Sequence, residues 1–172
     1  MATENSRNMY DKKDSLELGF SSENEFEKVA KKRGWKVTPA SKTDNIKNHI
    51  DYIIEKDSFK FFVDVKGLKR VSRGDSDVQD KTIWIELKNV ASNNGWLYGK
   101  ANIIAFETFT SFLIVRRLDL VALIDKIVDK TKRATSAKDA LYKLYTRYGR
   151  NDEITMIKTS DLEEITRAEW LK

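Results

Sequence analysis

His49-Ile50-Asp51-Tyr52-Ile53-Ile54-Glu55, a short polar turn, and then Phe59-Lys60-Phe61-Phe62-Val63-Asp64-Val65-Lys66 read as two strands joined by a tight turn. Side chains two apart on a strand share a face, so Asp64 and Lys66 project together. Pairing of the two runs as a hairpin brings Asp51, near the start of the first, close to Asp64, near the end of the second. Two carboxylates and a lysine converging at a strand end suit a hard divalent metal and hydrolysis of a phosphodiester.

Upstream of the hairpin, Ser21-Ser22 followed by Glu23-Asn24-Glu25 marks a helix start, with a hydroxyl cap and acids in the first turn. Phe26, Val29 and Ala30 form its apolar stripe, Gly34 stops it, and Trp35-Lys36-Val37 begins an extended segment. Residues 1–20 read as a loose leader, and Pro39 to Lys47 as a polar loop.

Downstream, Gly67 to Lys81 is polar, glycine-punctuated and charged, an exposed loop. Thr82 to Leu87 alternates as a third strand and Asn93-Asn94-Gly95 marks a turn. Trp96 to Tyr98, Ala101 to Phe106 and Ser111 to Val115 extend the sheet to about five strands. Leu118, Leu120, Val121, Ile124, Ile127 and Val128 fit a helix over one face of it. Ala137, Ala140, Leu141, Leu144, Tyr145 and Tyr148 repeat at helical spacing, a second late helix with both tyrosines inward. Glu153 to Lys158 reads as a short strand and Asp161 to Glu169 as a last helix; basic, apolar-poor Asp129 to Ser136 is the best linker candidate.

A chain of 172 residues is expected to form one domain with a real core. The expectation is an α/β domain over 21–172, with a catalytic core about 21–116 and a helical part about 117–172. With 40% apolar and 34% charged residues, the composition is that of a soluble globular protein. The absence of cysteine excludes disulfides and thiolate metal sites, and a single histidine excludes a His/Cys zinc site. No apolar run approaches the ~18 residues of a membrane span and residues 1–13 lack a signal-peptide core, so a cytoplasmic location is expected. The lysine-rich, cysteine-free character suits a viral or mobile-element origin. No Gly-x-Ser-x-Gly element supports a serine hydrolase, and no Gly-rich phosphate loop implies ATP.

The net charge of +5 permits a polyanionic partner, and its distribution says more than its sum. Lys66, Lys69, Arg70 and Arg73 follow the second strand; Lys130, Lys132, Arg133 and Lys138 form another cluster, with Lys143, Arg147 and Arg150 beyond. Basic clusters beside two carboxylates and a lysine point to nucleic acid, with Lys69, Arg70, Arg73 and Lys100 as candidate contacts.

A helix with an acid, a strand with Asp51, a strand with Asp64-Val65-Lys66, then more sheet and helix: in this order the chain resembles the PD-(D/E)XK nuclease superfamily, of restriction-endonuclease-like fold. Asp51, twelve intervening residues and Asp64-Val65-Lys66 carry the resemblance, which covers roughly residues 21–106. Ile50 stands where the superfamily's name has proline. The segment from Ser21 to Gly34-Trp35 looks like the first helix of archaeal Holliday-junction resolvases and related small nucleases. There a helix glutamate helps bind metal; Glu23 stands at that place and Glu25 is the substitute.

The resemblance implies Mg²⁺, with Mn²⁺ able to substitute, held by Asp51, Asp64 and the Val65 carbonyl, with Glu23 binding directly or through water. It implies that Lys66 orients the attacking water or stabilises developing negative charge, and that the products carry a 5′-phosphate and a 3′-hydroxyl. Each residue also has an ordinary reading: Asp51 with Lys66 as a structural ion pair, Glu23 as a first-turn acid favoured by the helix dipole. The expected function is a metal-dependent DNA endonuclease, structure-specific or site-specific. The alternatives are a catalytically inactive nuclease-fold DNA-binding or inhibitory protein, and an RNA nuclease. Many relatives dimerise to cut two strands, so a homodimer is expected. His49, Glu86 and the Asn93–Lys100 segment are further candidates: a phosphate contact, an added acid, and a surface that stacks on bases.

Overall fold

Gly34 takes a left-handed φ of 85°, open to glycine at little cost, and there the first helix gives way to the first strand. The computed structural model describes residues 21–172. The leader expected over 1–20 lies outside them. Helix α1 (residues 21–32) is followed by β1 (Lys36–Pro39), α2 (Lys42–Asn48), β2 (Tyr52–Lys56) and β3 (Phe59–Lys66). Then come β4 (Thr82–Lys88), a 3-10 turn (Trp96–Tyr98), β5 (Ile103–Glu107), β6 (Ser111–Arg116) and α3 (Arg117–Ile127). The chain closes with β7 (Asp129–Arg133), β8 (Lys143–Leu144), β9 (Glu153–Lys158) and β10 (Thr166–Leu171).

The result is a mixed α/β protein around a six-stranded sheet of order β1-β2-β3-β5-β6-β10. All neighbours in it are antiparallel except β3 and β5, which run parallel, Val63 opposite Ile103 and Lys66 opposite Phe106. Alternation along the strands splits the interior in two. Val63, Val65, Ile103 and Ala105 meet Phe26, Val29 and Ala30 of α1 on one face. Ile104, Phe106 and Val115 meet Leu120, Leu123 and Ile124 of α3 on the other, together with Ile85 and Leu87 of β4. Asp64 and Lys66 therefore belong to the α3 side, while α1 covers the opposite face.

Several expectations fail for identifiable reasons. The Pro39–Lys47 segment is not a loop: α2 forms there because Ser41 caps it, its hydroxyl accepting from the Asp44 N–H at 3.1 Å. Strand β4 leaves the main sheet and pairs with β9 in a separate two-stranded sheet, Glu86 opposite Ile154. Trp96–Tyr98 is a 3-10 turn rather than a strand. The helix expected from Ala137 to Tyr148 is absent, because tertiary hydrogen bonds claim its backbone. Tyr142, at φ 58°, donates its N–H to Met156 O at 2.9 Å, and Tyr145 bonds Ile154. Only a 3-10 turn (Ala137–Asp139) and short β8 remain, and Tyr148, expected inward, is fully exposed.

Asp129 to Ser136 is not a linker, since β7 pairs in parallel with β8. Nor does the last helix form: Asp161 accepts from the Lys158 N–H (2.9 Å) and the Tyr142 hydroxyl (2.6 Å) in a 3-10 turn. The chain then leaves as β10, where half-buried Ala168 and Trp170 alternate with exposed Arg167, Glu169 and Leu171. After α3, then, the C-terminal part holds strands and 3-10 turns in place of the expected helices. No helix among the described residues is long and apolar enough to cross a membrane.

Candidate active site

The β2–β3 register places Tyr52 opposite Val63, so Asp51, one residue earlier, falls opposite Asp64. Asp51 is held on three sides. Its N–H donates to Val63 O (2.8 Å), its Oδ2 accepts from the Val65 N–H (2.7 Å), and its Oδ1 accepts from Asn45 Nδ2 (2.7 Å). Asn45 belongs to α2, so the helix absent from the sequence reading orients the first acid. The cue was present in Ser41-x-x-Asp44, a hydroxyl cap with an acid three residues on.

Asp64 is 2% exposed, and its Oδ1 pairs with Lys66 Nζ at 2.7 Å. Its Oδ2 is buried with no hydrogen-bond partner. A buried carboxylate oxygen without a donor is costly. Burial pushes the Asp64 carboxyl up to about 7; Lys66 opposes the rise and the charge of Asp51 adds to it.

Glu23 reaches the same place from α1. Burial pushes its carboxyl up to about 7, the charge of Asp51 raises it further and Lys66 opposes. Of the two helix acids considered, Glu23 is thus the one whose carboxyl feels Asp51 and Lys66. Its position is fixed by its neighbour. The Ser22 hydroxyl donates to Glu107 Oε2, which also accepts from the Leu68 N–H (3.3 Å), while Glu107 Oε1 pairs with Lys172 (2.9 Å). This carboxylate fastens the start of α1 to the ends of β3 and β5, a clamp the sequence reading missed.

An all-oxygen set with one buried orphan oxygen, and with Glu23 and Asp64 both raised by burial and by Asp51, fits a hard divalent cation. Among the described residues no three acids, histidines or cysteines are gathered closely enough to enclose an ion by themselves. Mg²⁺ keeps several waters and takes one or two carboxylates, so two acids with a third nearby match its habit.

Lys66 is steadied by Asp64 and by Trp96, whose ring centre lies 4.7 Å from its Nζ. The backbone N–H of Trp96 in turn donates to Glu86 Oε1 at 3.4 Å. Glu86 does not arrive beside Asp64 on a neighbouring strand, as expected; it approaches Lys66 from the small β4–β9 sheet. Burial raises its carboxyl, and Lys66 opposes the shift. His49 caps α2 at φ 54°, where burial and then Lys66 hold its imidazole below the usual range and therefore neutral at pH 7.

The expected nucleic-acid contacts divide. Lys69 is exposed as a residue, yet desolvation of its ammonium and the charges of Lys66 and Arg147 pull its pKa down. Arg70 is half-buried in the same loop, its carbonyl accepting from Trp84 Nε1 at 3.1 Å. Arg73 is exposed farther along that loop. Exposed Lys100 is tied through its N–H to Asn48 O (2.9 Å), on the α2 side. The second basic cluster largely answers nearby acids: Lys130 with Asp125 (2.6 Å), Lys132 with Asp129 (3.9 Å), Arg133 with Glu153 (2.8 Å). Compared with protein-family models, with curated proteins and with solved structures, the chain matches none of them.

Proposed function

We propose that this chain is a metal-dependent DNA endonuclease of the restriction-endonuclease-like kind. One observation carries the reading: Asp51, Asp64 and Lys66 meet at one end of the β2–β3 hairpin, with a buried Asp64 oxygen lacking any donor. The order of elements supports it, since a helix, three antiparallel strands and a parallel fourth neighbour surround the acids.

In this reading Asp51 and Asp64, with the Val65 carbonyl and Glu23, hold Mg²⁺ or Mn²⁺. When bound, the ion supplies an activated water and charge stabilisation at the scissile phosphate. Asn45 and the Val65 N–H fix the Asp51 carboxylate, so it does not reorganise when substrate arrives. Lys66 donates hydrogen bonds to the attacking water or to a phosphate oxygen, its ammonium aimed by Asp64 and the Trp96 ring. Lys69 adds positive charge beside it. A homodimer accounts for cutting both strands of a duplex.

Supercoiled plasmid, linear duplex, single strands and a four-way junction, each with Mg²⁺, Mn²⁺ or EDTA, test the proposal. Cutting that needs the ion and vanishes in Asp64→Ala is the expected result. Binding without cutting in every metal would leave a nuclease-fold DNA-binding protein instead, and cutting confined to RNA would change the substrate class.

A further inference from the structure

Residues 145–154 form a hairpin whose first part, through Tyr148, carries the spacing of a helix. Tyr145 and Ile154 exchange both backbone hydrogen bonds, at 2.8 and 2.9 Å. The turn is locked from within: fully buried Asp152 accepts from the Arg147 N–H (3.0 Å) and from its guanidinium. The Thr146 hydroxyl donates to Asp152 O (2.8 Å) and the Arg150 N–H to Arg147 O (3.0 Å). Gly149 supplies the left-handed corner at φ 70°. At the tip of this fixed frame Tyr148 is fully exposed.

The base of the hairpin packs against β4 and the Lys69-Arg70 loop. Its Tyr145 ring lies 6.1 Å from that of Trp84, whose Nε1 donates to Arg70 O at 3.1 Å. Ile154 at its base pairs with Glu86 on β4. The charge of Arg147 is felt at both Glu86 and Lys69. Two basic segments far apart in sequence, Lys69-Arg70 and Arg147–Arg150, thus form one rim with an exposed aromatic ring at its edge. Cations along a rim match a phosphate backbone, and a free aromatic face matches a base that has left its stack.

We propose that Tyr148 stacks on one unpaired base of a nucleic acid whose phosphates run past Lys69, Arg70 and Arg150, so that flapped, branched or single-stranded DNA is preferred over uninterrupted duplex. This rests on the nucleic-acid reading above and names its substrate class.

Equilibrium binding in EDTA of 2-aminopurine-labelled single strand, flapped duplex and blunt duplex tests it, with the native chain, Tyr148→Ala and Tyr148→Phe. Tyr148→Ala should bind single strand and flap about tenfold more weakly and leave blunt duplex within about twofold. Tyr148→Phe should match the native chain, and 2-aminopurine quenching should fall only in the alanine variant. Undiminished binding by Tyr148→Ala, an equal loss on blunt duplex, a phenylalanine variant as weak as alanine, or no binding by the native chain would each overturn the proposal. Tyr148-dependent binding with no cutting in any metal would defeat the nuclease reading alone. Cutting by the native chain with no Tyr148 effect on binding would defeat the stacking proposal alone.

Discussion

Asp64→Asn is expected to abolish Mg²⁺-dependent cutting and yet, in EDTA above pH 7, to melt at a higher temperature than the native chain. The two effects share one cause. The Asp64 carboxyl is buried beside Asp51, with one oxygen lacking a donor, and its pKa rises from 3.8 to about 7. Between those values the folded chain keeps a proton that the unfolded chain has lost, so metal-free stability falls as pH rises through this window. The full difference corresponds to ~4 kcal/mol above pH 7. The attraction of Lys66 is already contained in that net shift, so the variant, which never carries the buried charge, should melt several °C higher than the native chain above pH 7. Glu23, also raised to about 7, keeps its own share of the slope, so the variant flattens the pH dependence without removing it. Melting curves from about pH 4 to 8 in EDTA and in Mg²⁺, run beside the plasmid assay, decide the matter. Native stability that is flat in EDTA, or a variant that melts lower than the native chain at pH 8, would show that the acid cluster costs the fold nothing. Mg²⁺ should raise the native melting temperature and leave that of the variant nearly unchanged.

What could be read from the sequence follows the range of the interaction involved. The Phe59–Lys66 strand and its pairing with Tyr52–Lys56 depend on a turn of two residues, so the meeting of Asp51, Asp64 and Lys66 was readable. The strand of Glu86 was readable too, but not its partner: β9 lies about seventy residues later, and nothing local in Thr82–Lys88 names Glu153–Lys158. Ala140 and Leu144 are both buried and four apart, which imitates a helix. The contradiction comes from Tyr142, an aromatic residue held in a left-handed conformation by Met156 and Asp161, partners that no local pattern shows. In β10 the alternation Thr166-Arg167-Ala168-Glu169-Trp170-Leu171 was visible, and the helix-favouring Asp161-Leu162-Glu163-Glu164 before it obscured where the strand began. Trp96 beneath Lys66 and Asn45 beside Asp51 come from a turn and a short helix, the elements with the weakest periodic signal.

Gly67→Ala should damage the protein more than its exposure suggests, and its effect should shrink when Ser22 is also removed. A Cβ at residue 67 would lie 2.2 Å from Ser22 Oγ and 2.9 Å from Ser22 Cβ, distances at which something must move. Neither remedy is free. Rotation of the Ser22 side chain breaks its bond to Glu107; displacement of the backbone lifts the start of α1 away from β3. Overpacking of this kind typically costs about 1–3 kcal/mol. Because Glu23 follows Ser22 directly, a shift of that helix end also draws the third acid away from Asp51. Loss of placement on the scale of an ångström lowers turnover by as much as ~100-fold. Ser22→Gly in the same chain removes both clashing atoms, at a cost of ~1 kcal/mol for glycine in a helix and ~1–3 kcal/mol for the lost bond to Glu107. The double variant should therefore lose less stability and activity than the two single changes add up to, because the clash cannot occur once the Ser22 side chain is gone, although the bond to Glu107 is not restored. Melting temperature and plasmid cleavage of the four chains measure the coupling directly. Strict additivity would mean that residue 67 disturbs something other than Ser22, and that the helix end does not set the position of Glu23.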